Sequence, residues 1–140
     1  MFLLDTNVVS ELRLIKSGKA DKRVARWAGK VDADDLFLSV ITIQEIEVGV
    51  LRAERKDATK GAILRKWLTG QVIPAFSGRI LNVDLEVARR SAALDVPDRR
   101  PARDGLIAAT GLVHGMTIVT RNTGDFDQTG ATLLNPWSVT

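Results

Sequence analysis

The strongest constraint in this chain is an alternation. Short runs of strand-forming apolar residues recur, each too brief to be a helix, and longer segments with helical spacing separate them. The runs are residues 2–4, 36–41 (LFLSVI), 80–83, 116–120 (MTIVT) and 131–134. Charge periodicity dominates residues 8–29. A helix is expected over residues 42–56, with Ile43, Ile46, Val50 and Leu51 on one face. Another covers residues 58–69, where Ile63, Leu64, Trp67 and Leu68 are apolar and Gly70 is placed to cap. Residues 72–76 contain Pro74, which makes them an edge strand or a loop. Residues 85–94 form a helix with Leu85, Ala88, Ala92 and Leu94 inward. The basic loop PDRRP (97–101) precedes a small-residue helix over 103–114, suited to close approach to a sheet, with Gly115 as its stop. This order predicts one α/β domain over residues 1–140, a three-layer α/β/α fold with a mostly parallel central sheet and right-handed crossovers.

In such sheets, sites form outside the carboxyl ends of the strands. Four acids fall there. Asp5 follows the first strand and Glu45 lies in the first turn of the helix after the second. Asp104 opens the small-residue helix, and Asp125 lies in the loop after MTIVT. Each has a local alternative. Asp5 fits a helix N-cap in DTNVVSE. Thr42 with Glu45 fits a capping box in TIQE. Asp104 gains from a helix dipole, and Asp125 suits a turn in TGDF. The alternatives do not explain why all four share one predicted edge. Clustered carboxylates stay ionised only with a neutralising charge. Hard oxygen donors select Mg²⁺ or Mn²⁺, which fits phosphodiester hydrolysis.

The chain has no cysteine, which excludes disulfides, thiolate zinc sites and cysteine nucleophiles. One histidine, His114, excludes histidine-rich metal sites and reads as a helix C-terminal cation. No phosphate-binding glycine loop, HExxH or serine-elbow pattern occurs. MFLLD lacks the features of a signal peptide, and no apolar stretch is long enough to span a membrane, so a cytoplasmic protein is expected. Twenty Lys and Arg against seventeen Asp and Glu give +3, a mild pointer to a polyanion. Basic residues crowd 13–26 and 52–66, as the solvated faces of two helices or as a nucleic-acid surface.

Several ordered blocks resemble one family. FLLDTNVVSEL, LSVITIQEIEVGV, ARDGLIAATGLVHGMTIVTRNTGDF, ILNVD and LLNPW are similar to PIN-domain ribonucleases of the VapC toxin type, in the branch that includes FitB. The resemblance covers nearly the whole chain. It implies an endoribonuclease toxin with Mg²⁺ or Mn²⁺ held by Asp5, Glu45, Asp104 and Asp125. Some relatives carry an aspartate directly after TR, where this chain has Asn122. Asp125, three residues on, takes that role here, and Asn122 is a candidate to orient water or touch a phosphate. Thr6 and Thr120 are candidate supporting hydroxyls. Arg121, Arg99, Arg100 and Arg103 are candidate contacts to the RNA backbone. The resemblance further implies a homodimer and a cognate antitoxin with a DNA-binding part, docking on surfaces that include residues 48–55 and 58–68. Trp27, Trp67 and Trp137 are read as core or interface anchors. Two rivals stand beside this reading. One is a metal-dependent DNA or structure-specific nuclease. The other is a non-enzymatic metal-binding interaction module, disfavoured because a receiver-like site would pair two acids after the first strand.

Overall fold

A computed structural model describes residues 1–138 of the chain; the expected domain end at residue 140 lies outside them. In chain order the elements are β1 (Phe2–Leu4), α1 (Thr6–Leu12), α2 (Lys22–Lys30), β2 (Leu36–Ser39), α3 (Val40–Lys56) and α4 (Ala58–Trp67). A π-type turn (Leu68–Val72) and a single helical turn α5 (Ile73–Ala75) lead to β3 (Ile80–Leu81). Then come α6 (Leu85–Leu94), α7 (Ala102–His114), β4 (Thr117–Val119), a 3₁₀ turn (Thr123–Phe126) and β5 (Leu133–Leu134). The sheet order is β3-β2-β1-β4-β5, with every pairing parallel. The register is set at the centre, where Leu3 faces Phe37 on one side and Ile118 on the other.

Period-two alternation divides the strands between two cores. Leu4, Leu38 and Val119 pack with Val8 and Val9 of α1, Val24 and Trp27 of α2, and Ile46 and Val50 of α3. Leu3 and Ile118 pack on the other face with Ile107 and Ala108 of α7 and with Phe126. The α/β/α expectation therefore holds. α7 lies close on β4, because a β-carbon added at Gly111 would meet Ile118 Cγ1 at 2.9 Å. Gly115 ends α7 in the left-handed region at φ 64°, where glycine has no steric penalty. Among the described residues, no helix is long and apolar enough to cross a membrane.

Some expectations change. The second strand stops at Ser39, whose side chain accepts from Ile41 N and caps α3 at Val40. Thr42 and Glu45 are therefore inside the helix and form no capping box; Glu45 sits in the second turn. Residues 72–75 are helical and Phe76 ends the turn, because the π-type turn carries α4 onward and buries Leu68 and Val72, while Pro74 falls at the start of α5. Gly70 lies within that turn and caps nothing. The inward face of α6 is Val87 and Leu94, and Leu85 is 76% exposed. Asp84 caps α6 by accepting from Val87 N, which leaves Leu85 at the solvent-facing start. Trp27 and Trp137 are core residues, whereas Trp67 is half-buried beneath the Arg13 guanidinium, 5.7 Å from its ring centroid.

Candidate active site

β1 and β4 are neighbours, but the chain reaches β2 and β3 on one side before crossing to β4 and β5 on the other. That switch point opens a crevice at the carboxyl ends of β1 and β4. Asp5 is the first residue after β1. Its extended backbone lets its carboxylate cap α1, and Oδ1 accepts from Thr6 N at 2.8 Å. Oδ2 accepts from Thr120 Oγ1 at 2.8 Å and from Asn7 Nδ2 at 3.2 Å. Asp5 is only 7% exposed, and these donors satisfy a buried charge. Thr120, buried just past β4, also accepts from Asn122 N at 3.0 Å. Asn7 Oδ1 accepts from Arg121 N at 3.1 Å, so one amide ties both strand ends together.

Glu45 joins through the second residue of the DTN segment. Thr6 Oγ1 donates to Glu45 Oε1 at 2.6 Å, linking α1 to α3. Three residues earlier on α3, Thr42 is buried, and among the described residues its hydroxyl has no hydrogen-bond partner.

Asp104 is the third residue of α7 and half-buried, and Asp125 is exposed in the 3₁₀ turn. The side-chain hydrogen bonds among the described residues include none to either carboxylate. Burial pushes the Asp104 carboxyl up to about 6, and the charges of Asp125, Asp5 and Glu45 add to it. Those three repulsions put all four acids in one electrostatic neighbourhood. The ion pairs of the described residues are Arg23–Asp21, Arg65–Glu47 and Arg65–Glu54, so no lysine or arginine neutralises the group. Among the described residues, no three acidic or histidine side chains are gathered tightly enough to hold a metal ion as they stand. Carboxylate oxygens are the donors that hard divalent cations select.

The basic candidates divide. The Arg121 guanidinium lies over the Trp137 ring, 5.2 Å from its centroid. Arg99 and Arg100 line a cavity of about 480 Å³ that also touches Asp104 and Asp125. Arg103 is exposed on the first turn of α7. Asn122 reaches the cluster through its backbone N–H. Asn7 was not singled out from the sequence as a site residue. Its signal was its spacing, two positions past a strand-end aspartate, from which an amide reaches back to the carboxylate and across to the next strand.

The family model for the PIN domain matches residues 2–131. The chain is 38% identical to toxin FitB of Neisseria gonorrhoeae over 143 residues, covering 98% of this chain and 99% of FitB. It is 35% identical to VapC ribonuclease Y4jK of Sinorhizobium fredii over 142 residues, covering 98% of each. The structure of FitAB bound to a DNA fragment superposes with a TM-score of 0.85 at 36% identity, covering 100% of this chain and 98% of that one. Sequence and fold agree, and the chain belongs to the PIN-domain family, among the VapC/FitB-type toxins of toxin–antitoxin systems.

Proposed function

We propose that this chain is a divalent-metal-dependent endoribonuclease, hydrolysing RNA phosphodiester bonds at the edge formed by Asp5, Glu45, Asp104 and Asp125. The observation that carries the reading is geometric: Asp5 and Glu45 are joined through Thr6 at the carboxyl edge of the sheet, Asp104 and Asp125 line one cavity there, and among the described residues no lysine or arginine pairs with any of the four. That donor set fits Mg²⁺ or Mn²⁺, held by the same four residues. Such an ion supplies an activated water and a counter-charge for the phosphate. The chain supplies the positioning. Thr6 N, Asn7 and Thr120 fix the Asp5 carboxylate, and Thr6 holds Glu45 across from it. Burial and the neighbouring acids push the Asp104 carboxyl up to about 6, and a cation held there would favour its ionised form. Arg99 and Arg100 draw the RNA backbone toward the acids.

The ribonuclease activity named for Y4jK supports RNA as substrate. The toxin role named for FitB supports a toxin role for this chain, for which growth arrest in the cytoplasm is the proposed outcome. The FitAB structure supports a cognate antitoxin, itself DNA-binding, as partner. Leu51 and Ile63, 54% and 59% exposed on α3 and α4, offer apolar anchors for that partner or for a second copy in a homodimer.

The test is cleavage of single-stranded RNA, transfer RNA and DNA side by side, with Mg²⁺ or Mn²⁺, by the wild type, Asp5→Asn and Asp104→Asn. RNA cleavage lost in both variants and on chelation is expected. Activity that survives either treatment overturns the mechanism, and preference for DNA overturns the substrate. Expression alone should halt growth, and co-expression with the antitoxin should restore it.

A further inference from the structure

The cavity beside Asp104 and Asp125 has the makings of a nucleotide subsite. Its volume, about 480 Å³, is in the range of small-ligand pockets. One wall is the 96–101 loop, bringing Pro97, Arg99 and Arg100; the other is the turn that ends at Gln128. The two walls differ chemically. The first brings the rings of Pro97 and Pro101 and the charges of Arg99 and Arg100, with Asp98 between them. The second presents a carboxamide, which donates and accepts at once.

Hydrogen bonds hold the backbone of both walls. Arg100 Nε donates to Leu94 O at 3.2 Å, and its amide N donates to Asp95 Oδ1 at 2.9 Å. Gln128 is pinned between Phe126, which is 1% exposed, and buried Thr129, whose hydroxyl donates to Phe126 O at 2.7 Å. Gln128 is also the one non-glycine residue of the described chain with positive φ, at 63°. Glycine would hold that backbone without steric cost. A glutamine in that conformation, at a residue that lines the cavity reaching Asp104 and Asp125, points to a use for its side chain.

We infer that this cavity holds the nucleotide adjoining the scissile phosphate of a single-stranded RNA, with Gln128 reading the edge of its base and Arg99 holding its phosphate. The inference rests on the ribonuclease reading above and adds its specificity. Pro97 offers an apolar surface to the base. An amide pairs best with a base edge that presents a donor next to an acceptor. The two residues therefore have separable signatures. Phosphate contacts act alike on all sequences and weaken with salt, whereas a base contact acts at one position.

The experiment is cleavage of an RNA pool randomised around one cut site, with Mn²⁺ or Mg²⁺, reading every product end. The wild type should show a base preference at one position beside the cut. Gln128→Gly, which suits the backbone, should keep its melting temperature and flatten that preference at least about fivefold. Gln128→Asn should retain part of it. Arg99→Ala should raise KM several-fold for all sequences and reduce the salt dependence, leaving the preference in place. Cleavage by the wild type with a preference that Gln128→Gly leaves unchanged, or with no preference at all, overturns this inference alone. No cleavage of any RNA by the wild type overturns the ribonuclease reading and this inference with it.

Discussion

Asp5 and Asp104 lie on the same edge of the same sheet and are held in opposite ways. The Asp5 carboxylate accepts from Thr6 N, Asn7 Nδ2 and Thr120 Oγ1, and one of its bonds caps a helix. Asp104 has no such donors, and burial with three neighbouring acids pushes it up to about 6. One half of the site is satisfied by the chain itself. The other half is left with repulsion that protonation of Asp104 or a bound cation would relieve. The same residue type thus serves the fold at one position and costs it stability at the other.

The largest expected effect erases the contrast. Asp5→Asn and Asp104→Asn should each lower RNA cleavage by about a hundredfold or more, because both halves feed one charge-stabilising site. A variant of either that keeps near-wild-type rates would split the four acids into separate features. Metal should separate the halves next. At a hundred times its Kd, Mg²⁺ or Mn²⁺ should stabilise the wild type by about 2.7 kcal/mol, read as a melting-temperature rise, and should stabilise Asp104→Asn far less.

Stability without metal should show the contrast most plainly. Asp5→Ala removes a cap and leaves the Thr120 hydroxyl without its acceptor, costing about 1–2 kcal/mol in denaturant unfolding. Asp104→Ala should cost nothing at pH 8 or raise stability. The sign follows from linkage. In the folded chain Asp104 titrates at about 6, against 3.8 for an ordinary group, so the folded state holds the proton more tightly. Its stabilising contribution is complete below 3.8 and is lost as pH rises through about 6. Between those limits the wild type should lose stability relative to Asp104→Asn. The smallest effect is at the bridge between α1 and α3. Thr6→Val removes the 2.6 Å bond to Glu45 and should lower cleavage about tenfold, with Thr6→Ser restoring most of it.

The contrast also explains what was legible in the sequence. The placement of Asp5 and Asp104 at one edge was legible because strand ends and helix starts follow from periodicity, and the strand order carries those ends to one crevice. Glu45 was ambiguous because TIQE imitates a capping box. Ser39 takes the cap three residues before Thr42, and a boundary shift of that size is beyond what a local pattern resolves. The inward face of α6 was misread because Leu85 and the alanines weighed as apolar, while the cap at Asp84 fixes the helix phase so that Val87 and Leu94 face the core. The helical path of residues 68–75 was hidden by Pro74, which breaks helix interiors yet fits a first turn. Asn7 and Gln128 gave weak signals, since each depends on backbone geometry that the sequence leaves open. The resemblance to PIN-domain toxins was legible because its blocks are the strand ends themselves.

The most direct test of a single divalent site is an NMR titration of the Asp104 carboxyl carbon, without and with Mg²⁺. Without the ion, the midpoint should lie near 6. With saturating Mg²⁺ it should fall to the ordinary carboxylate range or below, and Asp5→Asn should blunt that fall. A midpoint that Mg²⁺ leaves unmoved would contradict the claim that these four acids form one metal-holding site.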